Sequence, residues 1–350
     1  MSRLFRAVAL AALALIALPC LALGLDTVRT LKGTTVNGNL TQTSARSVVI
    51  KQTNGNEQTI PVDEIESIKF NAEPPQLNVA RTAAQGGRYD EALRTVEKLM
   101  QDNKGTDRPE IQQDLQYLQA LCTARLALVG RGDLLAAGKL VREFTQKNPN
   151  SYRTLEATEL LGDIFVAIDK PDLAQQQYAA AQRLASSNLV RMRSLIAQGN
   201  VLLAQGEWEK AASAFDEVLS IAGNDNSDAT QRQRQLARLG KAVCLAASDK
   251  PADGIALAQQ VIAEIDPEVQ DVAARAYNAL GTCFRRADRP KDALLAFLHV
   301  DLLYPAEAMQ HAEALKNLAE LWPEVGNSQR AAEAEEVLRT RYANTRWAKG

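Results

Sequence analysis

Histidine is nearly absent from this sequence: His299 and His311 are the only two in 350 residues, and neither has a second histidine or a cysteine at ligand spacing. That scarcity removes the usual imidazole base and argues against a transition-metal site. No Gly-x-Gly-x-x-Gly follows a strand-like run, and no Walker loop, Gly-x-Ser-x-Gly or His-Glu-x-x-His occurs. Catalytic residues, metals and cofactors are therefore not expected. Net charge is also small, -2, so the chain lacks the basic field that drives nucleic-acid binding, and no nucleic-acid partner is expected. Aromatic residues make up only 5% of the chain, which disfavours a core built on large rings. Alanine is abundant instead, as suits helices that pack closely through small side chains.

Cysteine is scarce too, with four in the chain. Cys20 lies in the leader described next. Cys122, Cys244 and Cys283 form an odd set without a Cys-x-x-Cys pair, each among apolar residues of an expected helix, so they read as small core residues.

Arg3 and Arg6 precede an apolar stretch over 7–18, then Pro19 and small residues at Ala22 and Gly24. This is the layout of a signal peptide over 1–24, with a mature chain from Leu25 exported to the periplasm or beyond. The alternative is an uncleaved anchor, because the apolar run to Leu25 is just long enough to span a bilayer if Pro19 is tolerated. Pro19, not a small residue, precedes Cys20, so lipidation is not expected.

Residues 25–70 change to short β-rich runs, with strands expected over 28–32, 39–43, 47–53, 58–62 and 66–70. Asn37 with Gly38 and Asn54 with Gly55 mark expected tight hairpin turns, since both residue types accept positive φ. Five short strands in so few residues resemble a small SH3-like or Sm-like barrel. RNA binding is not carried over, because the segment lacks interleaved basic and aromatic residues. Pro74 and Pro75 close a linker over 71–75.

Residues 76–350 read as helix, and they repeat. A small residue recurs at Ala92, Ala137, Ala174, Ala211, Gly254, Ala293 and Ala331, at intervals of about 37 to 45 residues. The same neighbours return around it: Gly162, Phe165, Tyr178 and Ala181 in one unit, Gly199, Leu202, Phe215 and Val218 in the next, and Gly281, Phe284, Phe297, Val300 and Pro305 in a later one. These residues resemble the tetratricopeptide repeat family, in which small residues sit where paired helices cross and a large apolar residue fills the adjacent hole. The resemblance implies a mainly α fold: a right-handed α-solenoid of about seven helix pairs, here behind a small β-barrel-like domain. Each pair exposes an apolar face that only its neighbour can bury, so the pairs stack and leave a concave surface.

The resemblance implies that this surface binds a protein or peptide, and that the first helix of each pair lines it. Glu156, Glu159 and Asp163 of the third unit and Arg275, Asn278, Arg285 and Arg286 of the sixth are the candidate partner-binding residues. Charged residues more often simply solvate a helix face, and that is the competing explanation for both sets. The Arg-Gly-Asp tripeptide at Arg131 to Asp133 falls in a turn between paired helices, where Gly-Asp is ordinary turn chemistry. An exported, non-catalytic interaction scaffold of the cell envelope is the function expected. A cell-wall or carbohydrate-binding module is the alternative, followed by a hydrolase using carboxylates such as Glu156 and Glu159.

Overall fold

The computed structural model describes residues 24–102, 107–343 and 345–349. The expected signal peptide, with Cys20, lies outside the described residues except at Gly24. Five strands come first: β1 Asp26–Thr30, β2 Thr35–Thr43, β3 Ser47–Lys51, β4 Glu57–Pro61 and β5 Ile65–Lys69, with one 3-10 turn at Val62–Glu64 before β5. All pairings are antiparallel, in the order β4-β3-β2-β1-β5. Val28, Val48, Ile50, Ile60 and Ile68 point inward, while their strand neighbours face out, the period-two pattern of a one-sided sheet.

One expected turn holds and one does not. Gly55 adopts φ 87° in a turn closed by a Gln52 N–H bond to the Asn56 carbonyl. Asn37 and Gly38 lie inside β2 instead, paired with Thr27 and Asp26. The β1–β2 turn falls at Gly33, φ 78°. Gly38 is glycine for a different reason: a Cβ there would stand 2.3 Å from the Lys51 carbonyl of β3. Asn-Gly marks close backbone approach as well as hairpin turns, and neighbours in sequence do not tell the two apart.

Fourteen helices follow as seven antiparallel pairs: α1 Pro75–Gln85 with α2 Tyr89–Asp102, α3 Pro109–Leu128 with α4 Leu134–Lys147, α5 Thr154–Ala167 with α6 Pro171–Leu184, α7 Asn188–Gln205 with α8 Trp208–Ala222, α9 Asp228–Ala247 with α10 Pro251–Glu264, α11 Gln270–Arg286 with α12 Pro290–Leu303, and α13 Ala308–Glu324 with α14 Ser328–Arg341. A short α15, Arg346–Lys349, ends the described chain. All seven recurring small residues are buried on the second helix of their pair. The packing explains them. Cβ atoms added at Gly162, Gly199 and Gly281 would come within 2.5 to 2.7 Å of the rings of Tyr178, Phe215 and Phe297. Phe215, fully buried, is pinched from its other side by Gly240, where a Cβ would fall 2.3 Å from the ring. At Gly254 the second helix presses on α9, and a Cβ would meet the Ala242 carbonyl at 2.4 Å, so the one glycine among six alanines stands where backbone meets backbone.

The turns inside pairs recur as well. Each needs a left-handed residue, supplied by Gly206 at φ 78° in the fourth pair and by Asp169, Asp249 and Asp288 at φ 57°, 59° and 53° in the third, fifth and sixth. In those three, a lysine or arginine and then proline follow, with Pro171, Pro251 and Pro290 opening the next helix. Aspartate tolerates this conformation better than most residues, and proline suits the first helical position because its missing N–H has no intrahelical partner there.

The linker is no free tether. Phe70 and the sheet's apolar face join one continuous core with α1 to α6 and with Val190 and Val201 of α7. Glu73 accepts from the Phe70 N–H and from Arg81, and Asp26 holds Arg108 through both carboxylate oxygens, at 2.5 and 3.0 Å.

Candidate functional site

Odd-numbered helices pack on one another as well as on their partners along most of the array, with α5 and α7 bridged by Glu159 and Arg193, so they form its inner, concave layer. At the N-terminal half of that layer lies a pocket of about 440 Å³, walled by α1, α3, α5 and α7, with Glu66 of β5 on its rim. The β module reaches across this region from the first pair to the third. One Asp63 oxygen accepts from the N–H groups of Ser186 and Ser187 at 2.7 and 2.6 Å, just ahead of α7, and Arg46 donates to the Arg183 carbonyl at the end of α6. A carboxylate at a helix N-terminus satisfies otherwise unpaired donors and meets the positive end of the helix dipole. Contacts 123 to 137 residues apart in sequence thus clasp the module over the groove.

Glu156, Glu159 and Asp163 all line this pocket, on successive turns of α5. Each is already held by an arginine. Arg153 bonds Glu156 at 2.9 Å, Arg193 of α7 grips Glu159 with two bonds at 2.9 and 2.5 Å, and Arg125 of α3 meets Asp163 at 3.1 Å, while the Tyr178 hydroxyl donates to the other Asp163 oxygen. Burial, with Asp163 and Glu156 nearby, raises the Glu159 pKa in spite of Arg193. Burial and the facing Glu156 carboxylate push the Tyr117 phenol far up.

Beneath the floor is a fully buried carboxylate that the sequence does not single out. Asp114 accepts from Arg81 Nε at 2.5 Å, the Tyr152 hydroxyl at 2.7 Å and Arg153 Nε at 2.9 Å. Burial alone would raise its pKa, but the Arg81 and Arg153 charges and the Tyr152 bond outweigh that and hold it at about 2. Two buried polar atoms of the pocket lining have no partner: Ser194 Oγ, on a residue 1% exposed, and Arg81 Nη2, on one 3% exposed.

The sixth-pair candidates do not form one patch. Arg285 reaches the next inner helix, bonding Asn317 at 2.5 Å and Glu320 at 2.8 Å, and exposed Arg275 lies beside Gln310 of the same helix. Arg286 turns away, its guanidinium 5.3 Å from the centre of the Trp208 ring. Asn278 is a correction: only 2% exposed, it donates to the Gln310 carbonyl at 2.9 Å and so ties two helix pairs together beneath the surface a partner would touch. The repeat register puts it on the lining helix, but at a close helix crossing its amide satisfies a neighbour's carbonyl instead of facing a partner.

The remaining sequence features resolve locally. Asp133 caps α4, accepting from the N–H groups of Leu135 and Ala136, and Arg131 is held bidentately by Asp90, so the tripeptide is built into a turn. Cys122, Cys244 and Cys283 are free and buried, and burial raises their thiols to about 12, 11 and 12. His311 is buried between the Tyr342 hydroxyl and Asp301, and His299 stacks on Tyr277 at 4.5 Å. Among the described residues no cluster of His, Cys, Asp and Glu could hold a metal, and no helix is long and apolar enough to cross a membrane.

Comparison with known proteins agrees with this geometry. Residues 194–229, covering most of α7, all of α8 and the first residues of α9, match the tetratricopeptide repeat family model. Among solved structures, a Rap protein complexed with competence and sporulation factor is similar at 13% identity, over 78% of this chain and 76% of that one, with TM-score 0.57. A tetratricopeptide repeat protein from Parabacteroides merdae is similar at 13% identity, over 78% and 96%, with TM-score 0.53. NprR in complex with its cognate peptide NprX is similar at 10% identity, over 75% and 76%, with TM-score 0.52. No curated protein sequence matches. The class is a helical-repeat protein. More narrowly, it is a tetratricopeptide-like solenoid behind a five-stranded antiparallel module.

Proposed function

We propose that the protein is an exported, non-catalytic scaffold of the cell envelope that holds a protein or peptide along the concave face of its helical array. The observation that carries this reading is the pocket at the N-terminal half of that face, with its alternating arginines and carboxylates and its two unpartnered polar atoms. Such a surface offers donors and acceptors side by side, as an extended main chain requires. Two similar folds, the Rap protein and NprR, have been crystallised with a bound factor or peptide, which supports a peptide-like occupant. The hydrolase reading loses ground because Glu156 and Glu159 are already bound by arginines. Export rests on the leader, and the partner-binding reading rests on the groove, so two experiments apply. N-terminal sequencing of the protein from an envelope fraction should begin at Leu25, and recovery of Met1 would overturn export. Crosslinking from a residue placed in the groove at Gln85 should capture a protein or peptide. Crosslinks from the convex Lys139 alone would overturn the concave site.

A further inference from the structure

We infer that the pocket beneath the β module receives a lysine or arginine side chain of an extended peptide, with the module's own Glu66 forming part of the receptor. This deepens the concave-face reading and rests on it.

Arg81, Arg125, Arg153 and Arg193 line the pocket, opposed by Glu66, Glu156, Glu159 and Asp163. Directly underneath, Glu73 and Asp114 spend their charge on the same arginines. Six carboxylates thus face four guanidinium groups, and only Glu66 has an arginine outside the set, Arg29. The surplus is negative: burial first, then Asp163 and Glu156, raises the Glu159 pKa, and facing anionic groups outweigh burial to raise those of Arg125, Arg153 and Arg193. One oxygen on Glu66 makes no hydrogen bond, and Glu156, bonded by Arg153 and facing the Tyr117 hydroxyl, still stands open; both side chains are about two-fifths exposed, at 39% and 43%. An incoming ammonium or guanidinium finds acceptors there without breaking an existing pair.

The orphaned atoms narrow the ligand further. Ser194 Oγ is buried on α7 with neither donor nor acceptor partner, and an ammonium N–H supplies one. Arg81 Nη2, on α1 at the opposite end of the row of inner helices, carries only N–H donors and needs an acceptor. A metal ion or a polyamine brings no acceptor, and a free carboxylate meets three carboxylates on α5. A basic residue within a peptide brings both: a cation at the end of its side chain and a main-chain carbonyl at its root. A volume of about 440 Å³ suits a ligand of that size.

Ser194→Ala is the sharpest probe, because it deletes a hydroxyl that bonds nothing in the free protein. Fluorescence polarisation of a labelled lysine–alanine hexapeptide, with its glutamate–alanine and serine–alanine counterparts, measures the preference on the full chain. The basic peptide should bind at least about 10-fold more tightly than either counterpart, a difference well within one charge-assisted contact. Glu156→Gln should weaken it about 10-fold and Ser194→Ala several-fold, with unchanged melting in the serine variant. Equal affinity for all three peptides, or a basic preference untouched by both substitutions, overturns the inference. So does binding of a neutral oligosaccharide in the same assay with no peptide bound. Failure here, with groove crosslinks still forming from Gln85, leaves the concave-face reading standing; loss of those crosslinks removes both.

Discussion

The two halves of the concave face are built from the same repeat yet differ in how they treat charge. In the N-terminal half, Arg81, Asp114 and Glu73 are buried together, with part-buried Arg153 completing the network, under a module clasped by Asp63. In the C-terminal half the corresponding row is open, and its pairs, such as Arg285 with Glu320 and Arg232 with Asp271, stand partly in water. A solvated pair gains little because water screens it, whereas a buried one is costly to break because the surviving charge has nowhere to go. Repetition of a backbone therefore does not repeat energetics: the cover does.

Removing Asp114 tests this contrast hardest. Asp114→Ala should destabilise the chain by about 3 to 5 kcal/mol in urea denaturation, since it strands Arg81 and Arg153 in a dry floor. A loss below about 1 kcal/mol would mean that water reaches the network. Acid supplies a second view of the same residue. Its folded pKa, about 2, lies below the ordinary 3.8, so its contribution is fully present above 3.8 and disappears as pH falls through 2. Acid titration of stability should lose slope between those values in the Asp114 variant, and identical slopes would refute the assignment.

Next comes Gly254→Ala, which probes a crossing shared by both halves. A methyl 2.4 Å from the Ala242 carbonyl forces α10 away from α9 and should cost about 1 to 3 kcal/mol, while Ala211→Gly on the matching helix should cost only about 1 kcal/mol. Melting temperatures of the two variants check it. Asp63→Ala removes two bonds to the start of α7 and should cost about 1 kcal/mol, while raising hydrogen exchange at Ser186 and Ser187. Unaltered exchange there would show that the clasp is not what holds the module. The smallest effect is expected from Arg285→Ala in the open half, below about 1 kcal/mol, read from the same urea curves.

Much of the helical array was legible before any coordinate. The small residues from Ala92 to Ala331 report the same crossing seven times, and a crossing repeated at a near-constant interval becomes a period in the sequence. Even Gly254, the odd member, fits once the Ala242 carbonyl is seen behind it. Glu156, Glu159 and Asp163 were legible as a set because helical spacing places them on one face of one helix. Their partners were not. Arg125 and Arg193 come from helices on either side, and Asp114 has no local pattern to mark it. Asn278 was misplaced because an exposed amide and an amide bonded across a helix crossing look alike in sequence, and the strand pairing of Gly38 was missed because Asn-Gly marks close backbone approach as well as a turn.

What the sequence determined by itself is the repeat: period, helix pairing, and the change from strands to helices at Pro74, all set by interactions between residues close along the chain. Tertiary structure alone decided the site. The module's docking on α6 and α7, the burial of Asp114, and the surplus of carboxylates around the pocket each depend on groups tens to more than a hundred residues apart, and their charges act through space rather than along the chain.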